Sequence, residues 1–419
     1  MSDIFEKFQH LPGEIGQYNK QVHGYFTFPK LIGEISNRMV FNGKEMIVWS
    51  LNNYLGLANH PEVRQTDAEA SAKYGLGLPM GARMMSGNSD YHEQLEKELA
   101  EFEQKQDAFL LNFGYQGIFS IVDAVCSRHD IIVYDAECHA CIIDGIRLHV
   151  GPRYKFKHND ISDCEKQIQR ALDHLEQNKQ NGGILVISEG VFGMGGDQGK
   201  IKEIVALKQK YSFRLLVDDA HGFGTIGKQG RGVGEEQDCQ DGIDLYFSTF
   251  AKSMASIGAF VAGEKDIIDY LRYNLRSQTY AKSLPMPLVL GNLKRLELIK
   301  KCPELREKLW QNCSKLQKGL VSHNFNIGNT NSPVTPVYFN AQNFEGVHMA
   351  FELREFYHIF CSIVVYPVIP KGQMIYRLIP TAVHNDEDIE KTLDAFDKLK
   401  GKLFSGDYDN KPIPQVALN

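Results

Sequence analysis

Phe213-Arg-Leu-Leu-Val-Asp218-Asp219-Ala220-His221-Gly222 is the stretch on which the fold turns. A short apolar run stops abruptly at two acids, and a histidine follows three residues after the first of them. Buried parallel strands read this way, with chemistry placed just beyond their carboxyl ends. A carboxylate buried at such a terminus can hold a ring nitrogen in its protonated form. The plainer alternative is a strand that ends in a polar turn, so the neighbouring sequence has to decide.

The same texture recurs along the chain. Apolar runs ending in polar residues lie at 108–112 (AFLLN), 131–135 (IIVYD), 184–190 (ILVISEG) and 245–252 (LYFSTFAK), with helical patterns such as 90–105 between them. Strands alternating with helices predict an α/β architecture, a mostly parallel central sheet flanked by helices. Beyond about residue 285 the pattern changes. Two long helical stretches over 286–323 lead into short strands at 336–339, 362–367 and 374–380, with a last helix over 386–401. We therefore expect an N-terminal segment over 1–50, a large domain over 51–290 and a small α+β domain over 291–419. The first fifty residues are expected to pack with the small domain or with a second subunit.

Composition narrows the function. The 419 residues carry a formal charge of −6, which argues against a nucleic-acid partner held by bulk electrostatics. No stretch approaches the twenty apolar residues of a membrane helix, and residues 1–17 lack the apolar core of a signal peptide. Eight cysteines form no disulfide framework and suit a reducing cytoplasm. Cys138 and Cys141 are the only close pair, and no second ligand pair completes a zinc site, so no metal is expected.

Three further motifs carry chemistry. Ser248-Thr249-Phe250-Ala251-Lys252-Ser253 puts a lysine just past a strand end. A lysine that attacks an aldehyde must be neutral, which a sheet-end pocket can arrange, and the Thr249 hydroxyl could meet a phosphate. Asn112-Phe113-Gly114-Tyr115-Gln116-Gly117 lies between strand and helix, where backbone N–H groups bind anions. His139 follows the 131–135 strand, where an imidazole could stack on a flat cofactor. Each has a bland reading: a surface lysine, an ordinary glycine turn, an incidental histidine near a helix start.

Taken together and in order, these motifs resemble the α-oxoamine synthases of fold type I, which use pyridoxal phosphate (PLP). Matching stretches are Asn52-Asn-Tyr-Leu-Gly-Leu57, Gly81-Ala-Arg-Met-Met-Ser-Gly87, Glu189-Gly-Val-Phe192, Gly227-Lys-Gln-Gly-Arg-Gly232 and Pro370-Lys-Gly-Gln-Met-Ile-Tyr-Arg377, and Tyr154-Lys-Phe-Lys-His-Asn-Asp160 and Lys252-Ser-Met-Ala-Ser-Ile-Gly258 are nearest in texture to bacterial serine palmitoyltransferases. The resemblance implies that Lys252 carries PLP as a Schiff base, Asp218 partners the pyridine nitrogen, His221 contacts the phenolic oxygen and His139 stacks on the ring. Gly114, Tyr115 and Thr249 would hold the phosphate. Arg377 would grip the substrate carboxylate, with Asn52 assisting. Ala281 and Lys282 lie where a neighbouring subunit approaches the phosphate in this family, which implies a homodimer with shared active sites.

The implied reaction is decarboxylative condensation of a small amino acid with an acyl thioester, carried by CoA or a carrier protein, to give an α-aminoketone. The texture is nearest to bacterial serine palmitoyltransferases, which favours serine and a long acyl chain, as in sphingolipid synthesis. The alternatives are cysteate, leading to sulfonolipids, glycine or alanine as the amino acid, and an ordinary aminotransferase. Departures from the family pattern are local. Cys138-His139-Ala140-Cys141 replaces Asn-His-Ala-Ser, Gly193 and Gly195 replace a serine and an aspartate, and Ala251 replaces a serine.

Overall fold

The computed structural model describes residues 3–6, 8, 23–179, 181–339, 343–364, 374–409, 411 and 414. The chain divides into two compact units: Asn52–Leu309 with Asn331–Pro333, and Met1–Leu51 with Trp310–Thr330 and Val334–Asn419. Strands in chain order are β1 (Leu31–Ile32), β2 (Arg38–Phe41), β3 (Lys44–Val48), β4 (Asp107–Leu111), β5 (Ile131–Asp135), β6 (Arg153–Phe156) and β7 (Ile184–Glu189). They continue as β8 (Arg214–Asp218), β9 (Leu245–Thr249), β10 (Ala259–Gly263), β11 (Thr335–Phe339), β12 (Ile359–Phe360), β13 (Ser362–Val364) and β14 (Met374–Leu378).

The larger unit is built on a seven-stranded sheet in the order β4-β10-β9-β8-β7-β5-β6. From β9 to β6 every pairing is parallel, and β10 runs antiparallel to both β4 and β9. All six residues of β7 are buried, because the sheet is covered on both faces and a parallel strand has no wet side. On one face Ile118, Ile121 and Val122 of helix Gly114–Val125, and Ile142 and Ile146 of helix Ala140–Leu148, pack against Phe109, Leu185, Leu216 and Phe247.

The five apolar runs named above are strands. Two further strands of this sheet, β6 and β10, went unread. β6 lies at the sheet edge with a mixed polar surface, so it writes no apolar run. β10 is fully buried but made largely of small residues, so it looks like a glycine loop.

In the smaller unit β1, β2, β3 and β12 form one sheet, with β12 parallel to β3. A second sheet is antiparallel in the order β11-β14-β13. Its core gathers Trp49, Leu316, Phe339, Tyr376 and Phe396. Helix Asp386–Phe404 starts with a reciprocal cap, in which Asn385 and Asp388 each accept the other's backbone N–H. Val365–Pro367 of the expected 362–367 strand, and residues 370–373 of the Pro370–Arg377 motif, lie outside the described residues. Among the described residues no helix is long and apolar enough to cross a membrane.

Candidate active site

The carboxyl ends of β5, β7, β8 and β9 place the candidate residues together in the larger unit. Asp218 ends β8 opposite Glu189 of β7 and Phe247 of β9. Its side chain is buried, and Oδ1 accepts the Ala220 N–H at 3.1 Å. Burial pushes its pKa up to about 6, the Lys252 charge and the Ala220 N–H working against that rise. Lys252 is half-buried just past β9, and its charge is felt by Asp218, Glu189 and Cys141 alike.

Glu189 is the residue the sequence quoted but gave no role. It is buried at the end of β7, and its carboxyl sits well above the usual range because of burial and then the Asp218 charge. Oε1 accepts the backbone N–H of His139 in a short bond. The signal was available: Glu189 closes an apolar run exactly as Asp218 does.

His139 is the N-cap of helix Ala140–Leu148. Its Nδ1 lies 2.8 Å from Cys141 Sγ and accepts the Cys141 backbone N–H at 3.3 Å. Burial raises the Cys141 thiol well above its ordinary range, so it stays an S–H donor. With Nδ1 accepting, the ring proton sits on Nε2. The thiol thus keeps the donor that a serine hydroxyl would supply. Tyr115 stands edge-on to His139, with ring centroids 6.2 Å apart, and its hydroxyl donates to Asp144 Oδ2 at 2.5 Å.

His221 is buried, and its Nδ1 lies 2.7 Å from the hydroxyl of fully buried Tyr54. Tyr54 lies inside the Asn52–Leu57 stretch quoted above, which gave it no role of its own. A Cβ added at Gly193 would come within 2.6 Å of His221 Nε2, so the imidazole occupies the place where the family carries a serine side chain.

Gly114 opens a twelve-residue helix, where the first N–H groups lack intrahelical partners. A Cβ there would meet Thr249 Oγ1 at 2.9 Å, so backbone and hydroxyl converge on one spot. The Thr249 hydroxyl donates to Gly258 O at 3.1 Å and accepts Ala251 N–H at 3.2 Å. To serve a phosphate it must turn its proton away from Gly258. Asn112 Nδ2 donates to Lys282 O at 2.7 Å, which anchors the segment holding Ala281 to the same strand–helix turn. Asn52 is half-buried at the start of the larger unit. Arg377 belongs to the smaller unit, half-buried in the central strand β14 between Pro336 and Ser362.

This donor set fits PLP. Asp218 is a buried carboxylate suited to a ring cation, Lys252 an amine within its field, His139 a neutral flat ring, and the Gly114 helix start with Thr249 an anion cradle. Among the described residues no cluster could hold a metal ion.

A family model described as aminotransferase class I and II matches residues 44–396. A cysteate-C-fatty acyltransferase of Capnocytophaga ochracea is 59% identical over 408 residues, covering 97% of each chain. A serine palmitoyltransferase of Bacteriovorax stolpii is 33% identical over 380 residues, covering 91% of this chain and 88% of that one. The solved serine palmitoyltransferase of Sphingomonas wittichii has a TM-score of 0.88 at 27% identity, covering 97% of this chain and all of that one. A structure described as SPT with PLP gives 0.87 at 28%, covering 96% and 100%.

Proposed function

The chain belongs to the aminotransferase class I and II family and, within it, to the α-oxoamine synthases, and on that premise we propose how its residues divide the reaction. The fold is that of a type I PLP enzyme, the cofactor is PLP and the activity is C-acyl transfer between an amino acid and an acyl thioester. When bound, PLP supplies an electron sink for a carbanion at the amino-acid Cα.

The single observation that carries the residue assignment is the convergence of Asp218, Lys252, Glu189 and His139 at adjoining strand ends. Asp218 holds a proton at the ring nitrogen by its buried negative charge. Lys252 would anchor the cofactor, and its amine, when free, would move the Cα proton. His139 would stack on the ring, and His221 would donate to the phenolic oxygen through Nε2. Gly114, Tyr115 and Thr249 orient the phosphate. On the sequence resemblance, Arg377 takes the substrate carboxylate by a two-pronged bond, with Asn52 assisting and Ala281 serving a second copy of the chain. The eight free cysteines support a cytoplasmic location and the family pattern supports a homodimer.

The sequence texture favours serine. The relative at 59% identity is named for cysteate, which makes cysteate the second reading and the first to test. The holoenzyme is titrated with serine, cysteate, glycine and alanine, following the cofactor absorbance, and products are then identified with a long-chain acyl thioester. A spectral shift and a long-chain aminoketone with serine or cysteate names the substrate. Product with glycine and a short acyl chain alone would reject both. Amino transfer to an oxoacid without loss of CO₂ would reject the acyltransferase itself.

A further inference from the structure

The His-Asn-Asp stretch at 158–160 is left without a role by the reaction above. His158 lies in the loop after β6, with Nδ1 3.0 Å from Asp135 Oδ1 and Nε2 2.9 Å from Asp197 Oδ2. We propose that His158 is a positioning residue for the reaction: by bonding Asp135 and Asp197 at once, it ties the segment that carries His139 to the segment that carries Gly193.

Each end of the tie is itself organised. Asp135 ends β5, and its Oδ1 accepts the Glu137 N–H at 2.8 Å while its backbone carbonyl accepts that of Cys138 at 3.3 Å. That turn delivers His139. Asp197 accepts the Phe192 N–H at its carbonyl, 3.0 Å away, and the Val191–Gln198 bridge closes the loop in which Gly193 lies against His221. Asn159 doubles the tie, giving its backbone N–H to Asp135 Oδ2 at 2.9 Å and its Nδ2 to Asp197 Oδ2 at 2.6 Å. The Phe192 ring stands edge-on over His158, with centroids 4.4 Å apart, so the imidazole is fixed in plane as well as by its nitrogens.

Both ring nitrogens face carboxylates, which requires two N–H donors and hence the imidazolium. The charged groups facing it are Asp135, Asp197 and, at 3.8 Å, Glu137. Burial pulls the imidazole down, but the bonds and charges of Asp135 and Asp197 outweigh it and hold the proton up to about pH 10. A loss of register of about 1 Å between the His139 and Gly193 segments is the kind of error that costs an enzyme about a hundredfold in rate.

The inference rests on the proposed PLP reaction, and its test keeps the two apart. Wild type, His158→Gln and Asp197→Asn holoenzymes are compared by kcat, KM for the amino acid, visible circular dichroism of the bound cofactor and thermal midpoint. His158→Gln is expected to lower kcat by about tenfold or more with KM within about threefold, and to change the cofactor dichroism. Asp197→Asn removes one of the carboxylates holding the proton, so the alkaline limb of its kcat profile is expected at lower pH than in wild type. Unchanged kcat and dichroism in His158→Gln, or an unmoved alkaline limb in Asp197→Asn, would overturn the proposal. Failure of both variants to fold would also overturn it, by making His158 a requirement of the fold and not of the site. Wild-type protein that takes up no cofactor would instead end the reaction assignment on which this rests.

Discussion

The hydroxyl of Tyr54 lies 2.7 Å from Nδ1 of His221, in a pocket where neither residue meets solvent appreciably. A neutral imidazole that presents Nε2–H to an anionic oxygen accepts at Nδ1, and Tyr54 is placed to donate there. Tyr54→Phe is therefore expected to keep the cofactor bound while lowering kcat by about fivefold, the worth of one buried hydrogen bond of about 1 kcal/mol. Steady-state kinetics beside the cofactor spectrum checks this; an unaltered kcat would show that His221 needs no such partner.

Gly193 is a packing requirement in this chain. Restoring the family's serine would put a Cβ 2.6 Å from His221 Nε2, and a ring that moves away would strain its bond with Tyr54. Gly193→Ser is expected to cost about 1–3 kcal/mol, in activity and stability together. In a Tyr54→Phe background the further loss in kcat should be smaller, because the imidazole is already free to move. Additive losses would show that the two residues do not act through His221.

At Lys252 and Asp218 the expected losses differ in kind. Lys252→Ala should fold, lose the visible absorption of the lysine-linked cofactor and give no turnover. Asp218→Asn should retain that absorption but lower kcat by about a hundredfold, since a neutral amide cannot balance a ring cation. Wild-type kcat in Asp218→Asn would remove Asp218 from the assignment.

Cofactor removal should make stability depend on pH in a set direction. Burial raises Asp218 from 3.8 to about 6 and Asp219 from 3.8 to about 7, both above their unfolded values. A carboxyl raised in this way contributes its stability fully below pH 4 and loses it as pH climbs through the folded value. The cofactor-free protein is thus expected to weaken between about pH 4 and pH 7. Bound PLP, with a cationic nitrogen at Asp218 as proposed, would oppose this. The gap between holo and apo thermal midpoints should widen over that range; parallel curves would refute the pairing.

Much of the larger unit was legible because buried parallel strands leave apolar runs, and runs that end in Asp218, Glu189 or the Thr249–Lys252 segment mark the chemical end of the sheet. Where burial leaves no such mark, reading fails. The half-exposed edge strand β6 and the small-residue strand β10 show this. The sequence by itself determined which residue types stand at the carboxyl ends of β5, β7, β8 and β9, since local pattern governs strand formation and termination. Only the tertiary structure decided that Glu189 faces Asp218 and holds the His139 backbone. Only it brought Tyr54 to His221 across 167 positions and His158 between Asp135 and Asp197. Those pairings depend on sheet order and loop packing, and a contact between distant segments imposes no periodicity on either one.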